Sequence, residues 1–192
     1  MKVTREQAAQ NRERIIKTAA RLFREKGFDG VGVADLMKSA GLTHGGFYGH
    51  FASKSDLAAK ACEISLAASR EKWARLAEAA GEDALAALVD NYLSDVHRDR
   101  LSSGCVLSTL GPEAAREGGP VKHAVANGLK GLLEVLEQSV PGRSPEQRRK
   151  AALAAMAQMV GAVVLSRIAD DEALSDEILA AVRSDLIDPA CD

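Results

Sequence analysis

Apolar residues recur along this chain at the three-to-four-residue period of helices, and no segment shows the alternation of a half-buried strand. Ile15, Ala19, Leu22 and Phe23 form one stripe in a segment running from about Arg5 to Lys26, and Gly27 stands where a C-cap glycine belongs. Val33, Leu36, Met37 and Ala40 follow the i, i+3, i+4, i+7 template, and Gly41 closes that short helix. Leu42 then fills a tight turn, and Thr43 is placed to cap a third helix running through about His50. Ser53 can cap the amide of Asp56, whose short carboxylate answers back in a variant capping box. A long helix opens there, with Leu57, Ala61 and Ile64 on its inner stripe.

The same period continues downstream. Leu85, Leu88, Tyr92 and Val96 predict one helix; residues from about Gly104 to Glu117 predict another, interrupted at Pro112. Val121, Val125, Leu129, Leu132 and Leu136 predict a third. Gly118-Gly119-Pro120 and Pro141-Gly142-Arg143 read as loops. Ser144, Pro145 and Gln147 supply a cap, a proline at the first helical position and a glutamine three residues after the cap. The helix they open reaches Ala169, and a last one spans about Ser175 to Ile187, before Pro189 stops the chain. The expectation is an all-α fold of about nine helices. A three-helix unit at 1–52 contains a helix-turn-helix at 33–51, and a helical body occupies 53–192.

Composition supports helices: aromatics are 4% of the chain, hydrophobic residues 46% and charged residues 27%. No run approaches the ~18 uninterrupted apolar residues of a membrane span. Met1 to Arg14 has no apolar signal core, so a cytoplasmic protein with no membrane partner is expected. Cys62, Cys105 and Cys191 are odd in number and scattered, which argues against a disulfide framework or zinc site. His44, His50, His97 and His123 lack metal-ligand spacing, and no dinucleotide, phosphate-loop or nucleophile-elbow motif occurs. Asp170-Asp171 reads as a solvated helix terminus. No metal, cofactor or enzymatic activity is therefore expected. Charge is divided: residues 1–60 carry 11 Lys/Arg against 6 Asp/Glu, whereas residues 61–192 carry 14 against 21. A basic head on an acidic body fits a head that meets a polyanion.

The segment Val33 to Phe51, VADLMKSAGLTHGGFYGHF, reads as helix, glycine-containing turn and short helix, as a DNA-binding helix-turn-helix requires. Leu36, Met37, Leu42, Phe47 and Phe51 would fix the crossing angle. Thr43, His44, Tyr48, His50 and Lys54 remain to face DNA. An ordinary helical hairpin would give the same bare pattern. Arg12 to Leu57, with RIIKTAARLFREKGFDG, the segment above and SKSDL, resembles the DNA-binding domain of the TetR family of transcriptional regulators. The resemblance implies a homodimer joined through its last two helices, a palindromic double-stranded DNA operator, and a body that releases DNA on binding a small-molecule effector. It implies phosphate contacts for Thr43, Tyr48 and Lys54, and an approach of His44 and its neighbours to the bases. Val31 and Gly32 depart from the family's hydroxyl residues before the second helix. Gly45 and Gly46 each cost about 1 kcal/mol in a helix interior but permit close backbone approach to DNA. With no Arg or Lys on that helix, DNA shape would carry much of the specificity.

Trp73, Tyr92, Met156 and Met159 lie on apolar stripes, as core or as pocket lining. Ala151 to Ile168 is apolar on more than one face, as a helix that packs the body and also meets a partner would be. Cys105 follows Ser102-Ser103-Gly104, a candidate cap, so a first-turn position with Arg98 and Arg100 nearby would favour its thiolate. GCVLSTLGPEAARE is similar to a subgroup of TetR-like regulators, some of which respond to oxidants or electrophiles. Cys105 is thus a candidate sensing residue, or a small residue filling a gap. A remoter alternative is a thiol enzyme using Cys105 with His97 or His123.

Overall fold

The computed structural model describes residues 4–188, which contain nine α-helices, three short 3-10 segments and no strand. Helix α1 (Arg5–Lys26) is capped by Thr4, whose hydroxyl accepts from the Gln7 amide at 3.1 Å, and ends at Gly27 with φ 76°. Helix α2 (Val33–Ser39) closes in a Schellman motif: the Gly41 amide donates to the Lys38 carbonyl and the Leu42 amide to that of Met37. Gly41 has φ 69°, the left-handed conformation this motif requires. Helix α3 (Lys54–Ala80) begins at Ser53, whose hydroxyl accepts from Asp56 at 3.0 Å. The Asp56 carboxylate answers to the Ala52 amide, one residue before the cap.

The body comprises α4 (Ala84–Tyr92), α5 (Asp95–Asp99), α6 (Val106–Glu117), α7 (Gly119–Ser139), α8 (Pro145–Ile168) and α9 (Glu172–Ile187). The capping box at Ser144 and Gln147 forms with both bonds present. Five expectations need correction. The helix expected to continue through Val96 stops at Tyr92, because the Ser94 hydroxyl accepts from the His97 amide and starts the separate α5, leaving Val96 exposed. Ile64 is 43% exposed. The buried face of α3 turns from Leu57 and Ala61 to Cys62, Leu66 and Trp73 as the helix passes from head to body. Gly119 and Pro120 already belong to α7, leaving Gly118 as the break. Asp171 caps the amides of Ala173 and Leu174, so α9 opens before Ser175. Pro189 and Cys191 lie outside the described residues.

The fifth correction concerns Pro112, which α6 accommodates without interruption. A proline inside a helix frees the carbonyl four residues earlier, here Ser108. Arg167 of α8 supplies the missing donor at 3.2 Å, and also donates to the carbonyls of His97 (2.8 Å) and Arg98 (2.9 Å). One guanidinium thus ties α5, α6 and α8 together.

One hydrophobic core runs from the head into the body. At its centre α3 and α7 cross so closely that a Cβ on Gly128 would stand 2.5 Å from the Leu66 Cβ. Helix α8 buries Ala152, Met156, Met159 and Val163, yet leaves Leu165 and Ile168 55% and 71% exposed. By length and composition alone α8 would pass as a membrane span. Its buried stripe instead packs in the core.

The crossing gives a test in which sign decides. Gly128→Ala is expected to destabilise by about 1–3 kcal/mol through overpacking. Gly131→Ala, also on α7 but with only the flexible, exposed Arg70 side chain near its added Cβ, is expected to stabilise by about 0.5–1 kcal/mol. Urea unfolding of both variants measures this, and equal signs would contradict the packing described.

Candidate nucleic-acid interface

The turn after α2 delivers the chain into a 3-10 segment, His44–Gly49, where an α-helix was expected. Three glycines, Gly45, Gly46 and Gly49, lower the α-helical preference, and the Gly46 amide bonds back three residues to the Thr43 carbonyl at 3.1 Å. That amide is one a Thr43 side-chain cap would have used, and the Thr43 hydroxyl caps nothing. Phe47 is fully buried and packs edge-to-face on Tyr48 (centroids 5.3 Å apart) and against Phe51 (5.8 Å). Leu36, Met37, Phe47 and Phe51 form the small core expected, with Leu42 half-buried against it.

This anchoring turns the other side outward. Thr43, His44 and Gly45 are exposed, Tyr48 is 69% exposed, and Gly46 and His50 are half-buried. An added Cβ at Gly45 would touch nothing, and at Gly46 only side-chain atoms at 3.7 Å, so internal packing demands neither glycine. Lys54 is half-buried at the first position of α3, on the same stretch of chain. Arg12, which the sequence pattern did not single out, places its guanidinium 4.7 Å above the Phe51 ring and links α1 to the turn. Spacing along α1 carries no hint of that contact, because Phe51 lies across the helix-turn-helix.

The head is tied to the body through α6. The Glu113 carboxylate accepts from the Phe28 amide at 2.8 Å, just beyond the end of α1. Arg24 of α1 donates to the Ser102 carbonyl (2.8 Å) and the Ser65 hydroxyl (2.9 Å). At the other end of α6 lies a cavity of about 200 Å³, lined by Lys72, Trp73, Asn91, Tyr92, His97 and Cys105 among others. Three of the candidate pocket residues, Trp73, Tyr92 and Cys105, therefore meet there. Met156 and Met159 do not: they are buried on the α8 face that packs the core.

Cys105 occupies the cap position of α6, just before the first turn. Burial pushes its thiol up, only partly offset by the Leu107 and Ser108 backbone, the Tyr92 hydroxyl and Arg24. This is opposite to the activation expected, and Arg98 is engaged elsewhere, with Asp99 and Asp176. His97 is committed too. Its Nε2 accepts from the Cys105 backbone amide at 2.9 Å, so Nδ1 carries the proton donated to the Tyr92 carbonyl at 2.6 Å. It cannot serve the Cys105 thiol as a base. His123 pairs with Asn127 on the exposed side of α7.

A helix-turn-helix with a buried aromatic anchor and an outward polar face, on an all-helical body, is the architecture of DNA-binding transcriptional regulators. Residues 15–61 match the family model for bacterial regulatory proteins of the tetR family, and residues 81–182 match that for the tetracyclin repressor-like C-terminal domain. The chain belongs to the TetR family. It is similar to the HTH-type regulator YerO of Bacillus subtilis (39% identity over 69 residues, 36% of this chain and 24% of that protein). It is also similar to the repressor NemR of Escherichia coli, at 27% identity over 67% of this chain. That match spans 66% of NemR, just under two thirds of its length. In fold, NemR in its reduced form superposes with a TM-score of 0.78 at 23% identity, over 93% of this chain and 98% of that one. AibR, in complex with isovaleryl coenzyme A and operator DNA, gives 0.66 at 17%, over 93% and 99%.

The His97 arrangement sets a pH dependence. Burial lowers its pKa from the usual 6.5, partly offset by the hydrogen bond to the Tyr92 carbonyl, with smaller lowering effects of Arg167 and Lys72. The unfolded chain then takes up the proton first, so the contribution of His97 to stability is present above about pH 6.5 and declines as pH falls through the folded value. His97→Ala should cost about 2 kcal/mol at pH 7.5, since the Cys105 amide loses its acceptor. The gap from wild type in urea unfolding is expected to narrow below pH 6.5. A gap that widens or stays constant would overturn the assignment of a neutral, doubly bonded imidazole.

Proposed function

We propose that this protein is a cytoplasmic repressor that binds a palindromic operator as a homodimer and is released when a small molecule enters its body. The observation that carries the reading is the exposed face of Thr43, His44, Gly45 and Tyr48 held over buried Phe47, with His50 beside it and Lys54 opening α3. Residues 1–52 serve as the reading head and 53–192 as the effector and assembly body. Thr43, Tyr48 and Lys54 bind phosphates, while His44, Gly45 and Gly46 bring the backbone close to the bases. The repressor role of NemR and the operator and ligand bound by AibR support this reading. Electrophile sensing by Cys105 is not favoured, because the thiol is buried and its pKa raised.

Sequencing genomic fragments retained by the protein is expected to return a palindrome whose half-sites lie about one helical turn, or a multiple of it, apart. On that site Lys54→Ala should weaken binding and lower the salt slope by about one unit, while Tyr48→Ala weakens binding across sequences. His44→Ala should instead change base preference. Retention without sequence preference would contradict operator recognition, and an unchanged slope would remove Lys54 from the interface.

Dimerisation is assigned to α8 and α9, which expose Leu153, Leu165, Ile168 and Leu174. Val160 and Val164 are half-buried beside them, and Val160 also packs on the core. Val164→Glu combined with Ile168→Glu is therefore the cleaner test. Sedimentation should show a monomer that has lost tight palindrome binding; a monomer that still binds a full palindrome tightly would sink the idea.

A further inference from the structure

The cavity beside α6 has a chemistry that narrows what can enter it. Most of its polar lining is already satisfied internally. The Ser69 hydroxyl donates to the Ser65 carbonyl, that of Ser94 to the Asn91 carbonyl, and both nitrogens of His97 are engaged. Among the described residues, two lining donors have no side-chain partner: the exposed Lys72 ammonium and the half-buried Asn91 amide. The Tyr92 ring packs edge-to-face on Trp73 with centroids 5.7 Å apart, and its hydroxyl is buried against the Cys105 and Ser108 side chains.

The charges around the cavity share one sign. Lys72 lines it, and Arg24 and Arg167 lie close enough to act on the Cys105 side chain. No Asp or Glu is among the lining residues. Asp99, the carboxylate felt by Arg167, is paired with Arg98. Volume sets the size: about 200 Å³ exceeds the ~150 Å³ that admits benzene and falls short of the ~300 Å³ where drug-sized sites begin.

We propose that this cavity binds a small organic carboxylate, its charged end held by Lys72 and Asn91 and its compact apolar or aromatic part lying against Trp73 and the Tyr92 ring. A carboxylate accepts several hydrogen bonds at once and meets a site lined by a cation and by no carboxylate, so it gains where a neutral isostere does not. Coenzyme A thioesters and multi-ring compounds exceed the space. The proposal names the ligand class for the effector site and so rests on the reading of the body as ligand-responsive. The position suits the role, since the ligand would touch Cys105 at the start of α6, the helix whose Glu113 holds the head.

Trp73, the single tryptophan of the chain, lines the cavity and reports occupancy directly, without DNA. The full-length protein is titrated with isobutyrate and benzoate, and with the neutral isobutyramide and benzamide, while Trp73 fluorescence is followed. A saturable change is expected with at least one carboxylate, about tenfold or more tighter than its amide. Lys72→Met should weaken carboxylate binding about tenfold and leave the amides unaffected. Equal binding of acid and amide, insensitivity to Lys72→Met, or no saturable change with either acid would overturn the proposal. The same carboxylate is then added to protein bound to its selected DNA. Release supports both the site and the effector reading; fluorescence binding without release leaves the anion site standing and overturns only the effector reading.

Discussion

Arg167 stands against the first turns of α6 and gives its guanidinium to the carbonyls of His97, Arg98 and Ser108. The Ser108 carbonyl is free because Pro112 cannot donate to it, so a helix that should kink is kept continuous by a side chain from α8. Without that donor, three backbone acceptors in a half-buried region would depend on water, at about 1–3 kcal/mol for each one left unpaired. Everything α6 does for the molecule depends on its being one rigid piece. Rigidity lets its two ends act on different things.

One end frames the cavity. Cys105 caps α6 beside Tyr92 and is held through its amide by His97, whose neutral tautomer both of its hydrogen bonds require. The other end meets the head, where Glu113 receives the Phe28 amide. Cys105 and Glu113 are about 12 Å apart along a helix rising 1.5 Å per residue. Arg24 adds a second tie, from α1 to the Ser102 carbonyl in the segment that precedes Cys105. On the proposed reading, a change of volume or charge in the cavity would act on a stiff rod whose far end holds the end of α1, and with it the head. In a dimer joined through α8 and α9, small tilts of two heads become a change in their spacing, which a palindrome reads directly.

Local features of this fold were legible in the sequence. The bounds of α1, the Gly41 turn, the Ser53 cap and the Ser144 capping box each follow from residues within one turn of each other. So does the outward face of Thr43, His44 and Tyr48, since Phe47 and Phe51 can only go inward. Long-range features were not. Nothing near Pro112 announces that its orphaned carbonyl is met by Arg167, nor that Arg12 sits over Phe51 or that Glu113 receives Phe28. The apolar stripe containing Met156 and Met159 could not be sorted into core or pocket by periodicity, because both lie on apolar helix faces. The promise of a reactive Cys105 failed for a related reason: a helix N-terminus lowers a thiol pKa, but burial raises it, and burial is a tertiary quantity. Ile64 shows the same limit on α3, whose inner face turns as its packing partners change.

The central proposal is that α6 holds two heads at a fixed spacing in a dimer. Its most direct test is a pulsed electron-spin distance measurement with labels on exposed Lys38→Cys of α2, in a background with Cys191→Ser and with Cys62 and Cys105 left buried. Wild type should give one narrow head-to-head distance distribution, and Glu113→Ala should broaden or shift it while the unfolding midpoint of the body stays nearly the same. The absence of any intermolecular distance, or a distribution untouched by loss of the Glu113 carboxylate, would contradict the account.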